Sequence, residues 1–158
     1  MQCARATARL KARARSAGIP VIYVNDNFHR WHGGFDGIVA HCTEKSAASR
    51  AIVDVLMPEP DDYIVVKPKN SAFFDTGLGT LLDELRVSHL ILTGLVTDNC
   101  ILFTANDAHL RDYEVLVPSD CVAAKDRKSG NRALEYMAAN LHAKTGPAKT
   151  LRLSRRRR

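Results

Sequence analysis

Several features are scarce in this chain, and each scarcity narrows its chemistry. No apolar run approaches the roughly 18 to 20 residues that cross a bilayer, so membrane insertion is not expected. The four cysteines, Cys3, Cys42, Cys100 and Cys121, stand far apart, without paired metal-ligand spacing and without a secretory leader before them. That pattern argues against a disulfide framework or a zinc site and points to a reducing cytoplasm. No internal repeat and no interdomain linker interrupts the 158 residues. The expectation is one domain over residues 1–153, followed by a basic disordered tail at 154–158. Acids are missing from the N-terminal part, where Asp26 is the first Asp or Glu.

What is present supports a packed globule, since 46% of the residues are hydrophobic. The formal charge of +6 at first suggests an acidic partner. However, Arg155, Arg156, Arg157 and Arg158 supply +4 of it, leaving 6 − 4 = +2 for the body. A terminal block of like charges repels itself and stays solvated, so nucleic acid is not the expected partner. Residues 4–17 are rich in helix-forming Ala, Arg and Lys and stop at Gly18. Arg5, Arg9, Lys11, Arg13 and Arg15 then read as the solvated face of a surface helix. Ala6, Leu10, Ala14 and Ala17 remain for packing.

The rest alternates strand and helix. Residues 19–24 are short, β-branched and apolar, and they lead into a loop with Phe28, His29, Trp31 and His32. A long irregular stretch through Gly33, Gly34 and Gly37 is expected next, then a short helix at 46–56 ended by Pro58 and Pro60. A strand at 62–66 runs into Lys67, and a helix at 76–86 presents Leu78, Leu81, Leu82 and Leu85 on one face. Strand 89–93 precedes a helix over 98–111 whose buried stripe is Ile101, Leu102, Ala105 and Ala108. Strand 114–117, a helix at 129–141 and a short last strand at 150–153 complete the pattern. Short strands alternating with helices imply a three-layer, Rossmann-like, doubly wound and mostly parallel α/β sheet. In such sheets catalytic groups collect beyond the carboxyl ends of strands, where Asn25, Lys67, residues 96–100 and residues 119–121 fall.

One of these positions stands out. Cys100 falls in the first turn of a helix that follows a buried strand and a tight turn. The unpaired amides and positive dipole end there favour thiolate over thiol.

Five blocks, at residues 18–28 (GIPVIYVNDNF), 67–73 (KPKNSAF), 93–100 (TGLVTDNC), 104–108 (TANDA) and 117–121 (VPSDC), occur in one order and at set intervals. Together they resemble the isochorismatase-like cysteine hydrolases over about residues 10–153. The resemblance implies a Cys nucleophile at Cys100 and a catalytic lysine at Lys67, which lies 33 residues earlier. It also implies a non-proline cis peptide between Leu95 and Val96 that turns the Val96 and Cys100 amides toward an oxyanion. The chemistry implied is acyl transfer from a small amide, carbamoyl or ureido substrate, through a thioester and without cofactor. Self-association is implied too, for which the exposed faces over 98–111 are candidates. Lys69 is expected to be a solvated charge.

The family's proton-accepting Asp closes a first, central strand upstream of the helix that begins here, and no residue before Asp26 matches it. The fold is therefore expected to lack that strand. Asp26, at a strand exit, is the one substitute the sequence offers. Loss of a base commonly costs about 10² to 10⁴ in rate, so feeble activity is expected. The alternative is an inactive scaffold or binding subunit that keeps the fold.

Related nicotinamidases bind metal through an Asp-x-His element plus a later His. Here the place reads Asp26-Asn27-Phe28, and His29, His32 and His41 miss the spacing, so no metal is expected. Phe28, Trp31 and Phe74 are candidates for a pocket wall, and Asn25 and Asp120 for orienting polar substrate groups.

Overall fold

Parallel pairing organises the chain. Strand β1 (Ile22–Asp26) runs beside β2 (Tyr63–Lys67), with Ile22 opposite Tyr63 and Asp26 opposite Lys67. In the same sense β3 (His89–Ile91) lies beside β5 (Glu114–Leu116), and β4 (Gly94–Leu95) beside β6 (Val122–Ala123). The computed structural model describes residues 1–28, 32 and 34–154, and within them these pairs form three separate two-stranded ladders. Parallel neighbours require crossovers, and helices provide them. α1 (Gln2–Ser16) precedes β1; α2 (Gly34–Lys45) and α3 (Ala47–Leu56) link β1 to β2; α4 (Leu78–Glu84) links β2 to β3; α5 (Leu102–His109) links β4 to β5; α6 (Arg127–Asn140) follows β6. This is the expected doubly wound α/β class.

The apolar periodicities become the core. Ile101, Ala105 and Ala108 are buried, Leu102 half-buried, and the two alanines have no exposed surface, so α5 seats closely against its neighbours. Leu78 and Leu82 are buried on α4, with Leu81 and Leu85 half-buried beside them. They join Phe73, Val115, Val117 and Met137 in one cluster, against which Ile22, Val24, Leu90 and Leu92 pack. Truncating a side chain such as Leu82 to Ala in a cluster of this kind costs about 2 to 5 kcal/mol.

The first helix closes as its sequence predicts. Gly18 takes φ +66°, its N–H donates to the Arg15 carbonyl at 2.9 Å, and the Ile19 N–H reaches the Ala14 carbonyl at 2.9 Å. That is the two-bond left-handed helix stop that glycine favours. Ala6 and Leu10 pack on Cys121 and Ala148, with Leu151 and Leu153 at the margin.

Four expectations need correction. The glycine-bearing stretch is not irregular throughout, because residues 34–45 form α2. Glycine weakens helix propensity, but packing of α2 against α3, with Ile38 buried, outweighs it. Residues 150–153 form no strand. A 3₁₀ turn spans Ala148–Thr150, and Arg13 claims the nearby backbone by donating to the Ala148 carbonyl at 2.8 Å and the Leu151 carbonyl at 2.7 Å. The basic face of α1 is also less solvated than expected. Lys11 is 11% exposed and binds Asp62 at 2.8 Å, Glu59 at 3.3 Å and the Met57 carbonyl at 3.1 Å, while Arg15 pairs with the same Asp62. The helix at 98–111, finally, does not begin as an α-helix: a π turn over Thr97–Ile101 precedes α5.

The Asp62 carboxylate is 1% exposed and also accepts the Glu59 N–H at 2.8 Å. Burial would raise its pKa, but that N–H and the Lys11 and Arg15 charges outweigh burial and hold the carboxyl below its ordinary 3.8.

Candidate active site

β1 and β2 end side by side, which brings their terminal residues together. Asp26 and Lys67 are register partners, and the Asn27 N–H donates to the Lys67 carbonyl at 3.0 Å just beyond them. The Lys67 side chain is 5% exposed, so its ammonium needs compensation. It donates to Asp26 Oδ1, to the Lys69 carbonyl at 2.9 Å and to Cys100 Sγ at 3.7 Å. One buried cation therefore joins a carboxylate, a backbone carbonyl and a thiol from three segments of the chain.

Cys100 is placed by the turn before α5. The Leu95–Val96 peptide is cis. The Val96 carbonyl accepts from the Asn99 N–H at 3.1 Å and the Ile101 N–H at 3.2 Å, which fixes the turn on either side of the cysteine. Gly94, with φ +117°, donates its N–H to the Cys121 carbonyl at 2.9 Å and anchors the approach to that turn. Helix α6 backs it: a Cβ on Gly130 would lie 4.0 Å from Thr97 Oγ1 of the turn and 3.2 Å from the Ala124 Cβ just after β6.

The loop after Lys67 is tied to the same helix. The Ala72 N–H donates to Thr104 Oγ1 at 3.0 Å, and the Ser71 hydroxyl donates to the Asp107 carboxylate. Both acceptors lie on α5, directly after the turn that carries Cys100. Lys67 and Cys100 are thus held by two ends of one strapped unit.

Beside the ion pair opens a cleft of about 270 Å³ lined by Asp26, Asn27, Phe28, Pro68, Lys69 and Asn70. Asp26 is half-exposed toward solvent, and Phe28 has φ +49°, the left-handed region that bulky side chains rarely adopt. Its ring lies 5.3 Å from the His41 ring.

Comparison with known proteins shows the family. Residues 2–146 match the isochorismatase domain. The chain belongs to the isochorismatase family. It is 41% identical over 134 residues to the isochorismatase family protein YaaI of Bacillus subtilis (strain 168), covering 85% of this chain and 73% of that protein. It is 30% identical over 146 residues to the ureidoacrylate amidohydrolase RutB of Methylobacterium radiotolerans, covering 80% of this chain but 57% of the relative. The chain thus spans little more than half of that enzyme. Among solved structures, the N-carbamoylsarcosine amidase of Thermoplasma acidophilum superposes with a TM-score of 0.76 at 27% identity, covering 97% of this chain and 86% of that one. Two of these relatives of the isochorismatase family chain are named an amidohydrolase and an amidase.

The remaining sequence candidates fare differently within this isochorismatase fold. Phe28 lines the cleft. Phe74 is 49% exposed and is not among the cleft residues. Asn25 is half-buried within β1, opposite Val66 and one residue short of the lining. Asp120 does not face this cleft either, because its Oδ1 accepts the Ala148 N–H at 2.7 Å and holds the C-terminal segment. Trp31 and His29 lie outside the described residues, and His32 is exposed. Among the described residues no three His, Cys, Asp or Glu side chains converge as metal ligands. Asp26, the one substitute carboxylate the sequence offers, is brought against the Lys67 ammonium by the pairing of β1 with β2.

Proposed function

We propose that this chain hydrolyses a small amide, carbamoyl or ureido C–N bond through a thioester on Cys100. The observation that carries the reading is the contact of one buried ammonium, that of Lys67, with both the Cys100 sulfur and the Asp26 carboxylate. The names of the relatives support the substrate class, since ureidoacrylate amidohydrolase and N-carbamoylsarcosine amidase both denote enzymes that act on amide-type bonds.

In the proposed reaction Cys100 Sγ attacks the carbonyl carbon. As it does, Lys67 takes the thiol proton and passes one of its own to Asp26, remaining an ammonium while the sulfur becomes anionic. The Val96 and Cys100 amides receive the oxyanion, an interaction worth roughly 2.7 to 4 kcal/mol per donor in hydrolases. Collapse breaks the C–N bond, and the proton held on Asp26 returns through Lys67 to the leaving nitrogen. Water then attacks the thioester, gives its proton along the same line, and releases the acid with the thiol restored. Asp26 is half-exposed and shares its charge with solvent, so we expect feeble turnover from it as the proton acceptor.

Peptide-resolved alkylation with iodoacetamide, run beside an assay on N-carbamoyl amino acids, tests the reading. Alkylation of Cys100 is expected to remove turnover, and Cys100→Ala to abolish it. Turnover that survives Cys100→Ala would sink it. We also propose self-association through α5 and the residue that ends it, where Phe103 is 51% and Leu110 70% exposed. Sedimentation of Leu110→Glu beside the parent chain checks this, and an unchanged mass in a multimeric parent refutes it.

A further inference from the structure

We propose that the cleft beside the ion pair selects substrates that carry a carboxylate, with Lys69 as the residue that receives it; this rests on the amidohydrolase reading above. The cleft has two charged side chains, Asp26 and Lys69. Asp26 is already matched, because the buried Lys67 ammonium faces it. Lys69 is exposed, and among the described residues its ammonium forms no ion pair. The cleft therefore keeps one positive charge over, in a concave wall where a field of one sign attracts a ligand of the other.

The position of Lys69 is built rather than incidental. Its carbonyl accepts from Lys67 Nζ at 2.9 Å, so the backbone that holds the catalytic ammonium also presents the Lys69 side chain to the cleft. Two and three residues further on, Ser71 and Ala72 are tied to Asp107 and Thr104 of α5. The Asn70 amide adds a neutral hydrogen-bonding group next to the charge, and the left-handed Phe28 closes the lining with an apolar face. A carboxylate, a short spacer and a ureido or amide group is the ligand class that this set of groups complements. An exposed ammonium stays partly hydrated, so the contribution belongs to affinity and leaves the chemical step alone.

N-carbamoylglycine and its uncharged N-methylamide share the ureido group and differ at one carboxylate, which makes them the probes. Titration calorimetry on the full chain carrying Cys100→Ser, which binds without turnover, is expected to give about tenfold tighter binding of the acid. Adding Lys69→Gln closes that gap, and Lys69→Glu inverts it. Equal affinity for the two probes, binding of neither, or a preference that survives Lys69→Gln overturns the proposal. Hydrolysis by the chain with Cys100 intact reports on the other question. A carboxylate preference in binding without any Cys100-dependent turnover would refute the amidohydrolase reading and leave the charge selectivity of the cleft standing.

Discussion

The Lys67 ammonium lies 3.7 Å from the Cys100 sulfur although 33 residues separate them in the chain. Neither residue tolerates much displacement. Lys67 closes a strand whose register is set by β1, and Cys100 sits in a turn strapped to the loop that follows Lys67.

Replacing Asp26 with Asn removes the proposed proton acceptor while keeping the size and hydrogen-bonding capacity of the side chain. In steady-state assays kcat is expected to fall by about 10² to 10⁴, with KM changed far less. An unchanged kcat would show that Asp26 only fills space.

Asp62 anchors α1 to the start of β2 through Lys11 and Arg15. Asp62→Asn removes the buried carboxylate from both cations, which keep the exposed Glu59, and is expected to cost about 2 kcal/mol in urea unfolding. Since folding lowers the pKa of this carboxyl from 3.8, its contribution is fully present above about pH 4 and is lost as pH falls through the folded value. The stability difference between parent and variant should therefore be flat near neutrality and shrink only in strong acid. A difference that shrank between pH 5 and 7 would contradict this.

At the alkaline end Cys121 matters most. Burial, aided by the Asp120 charge, pushes its thiol up from 9.0 to about 11. The folded state keeps a proton that the unfolded chain gives up, so this contribution is full below about pH 9 and is lost as pH rises toward 11. Tyr23 and Cys3, raised mainly by burial, add to the same trend. Thermal melts of the parent are expected to drop steeply over that interval, and those of Cys121→Ala less so. Parallel curves would show that the thiol does not ionise on unfolding.

Arg86 follows α4 in the left-handed region, with φ +52°, and its N–H donates to the Asp83 carbonyl at 3.0 Å. Glycine adopts that conformation without the penalty a Cβ incurs. Arg86→Gly is expected to stabilise by about 0.5 to 1 kcal/mol, or about 2 to 4 °C in Tm. A lower Tm would mean that the arginine side chain holds the turn by contacts of its own.

The sequence by itself determined the elements that depend on periodic burial. The stripes on α4 and α5 and the stop at Gly18 follow from local rules of spacing and backbone freedom, as does the order of β1, β2, β3 and β5, so they were legible before any coordinates. Asp126 and Ser46, which cap α6 and α3 through the Ser129 and Ser49 amides, obey the same local chemistry. Tertiary structure decided what local rules cannot reach. Residues 34–45 became a helix because α3 offers a surface to pack on, and residues 150–153 lost their expected strand because Arg13, some 135 residues away, binds the adjoining carbonyls. Likewise Asp26 met Lys67, and Asp120 turned to Ala148, through contacts across the chain. Charges find partners by distance in space, and a linear pattern of residues carries that distance only where strand register or helix pitch converts one into the other.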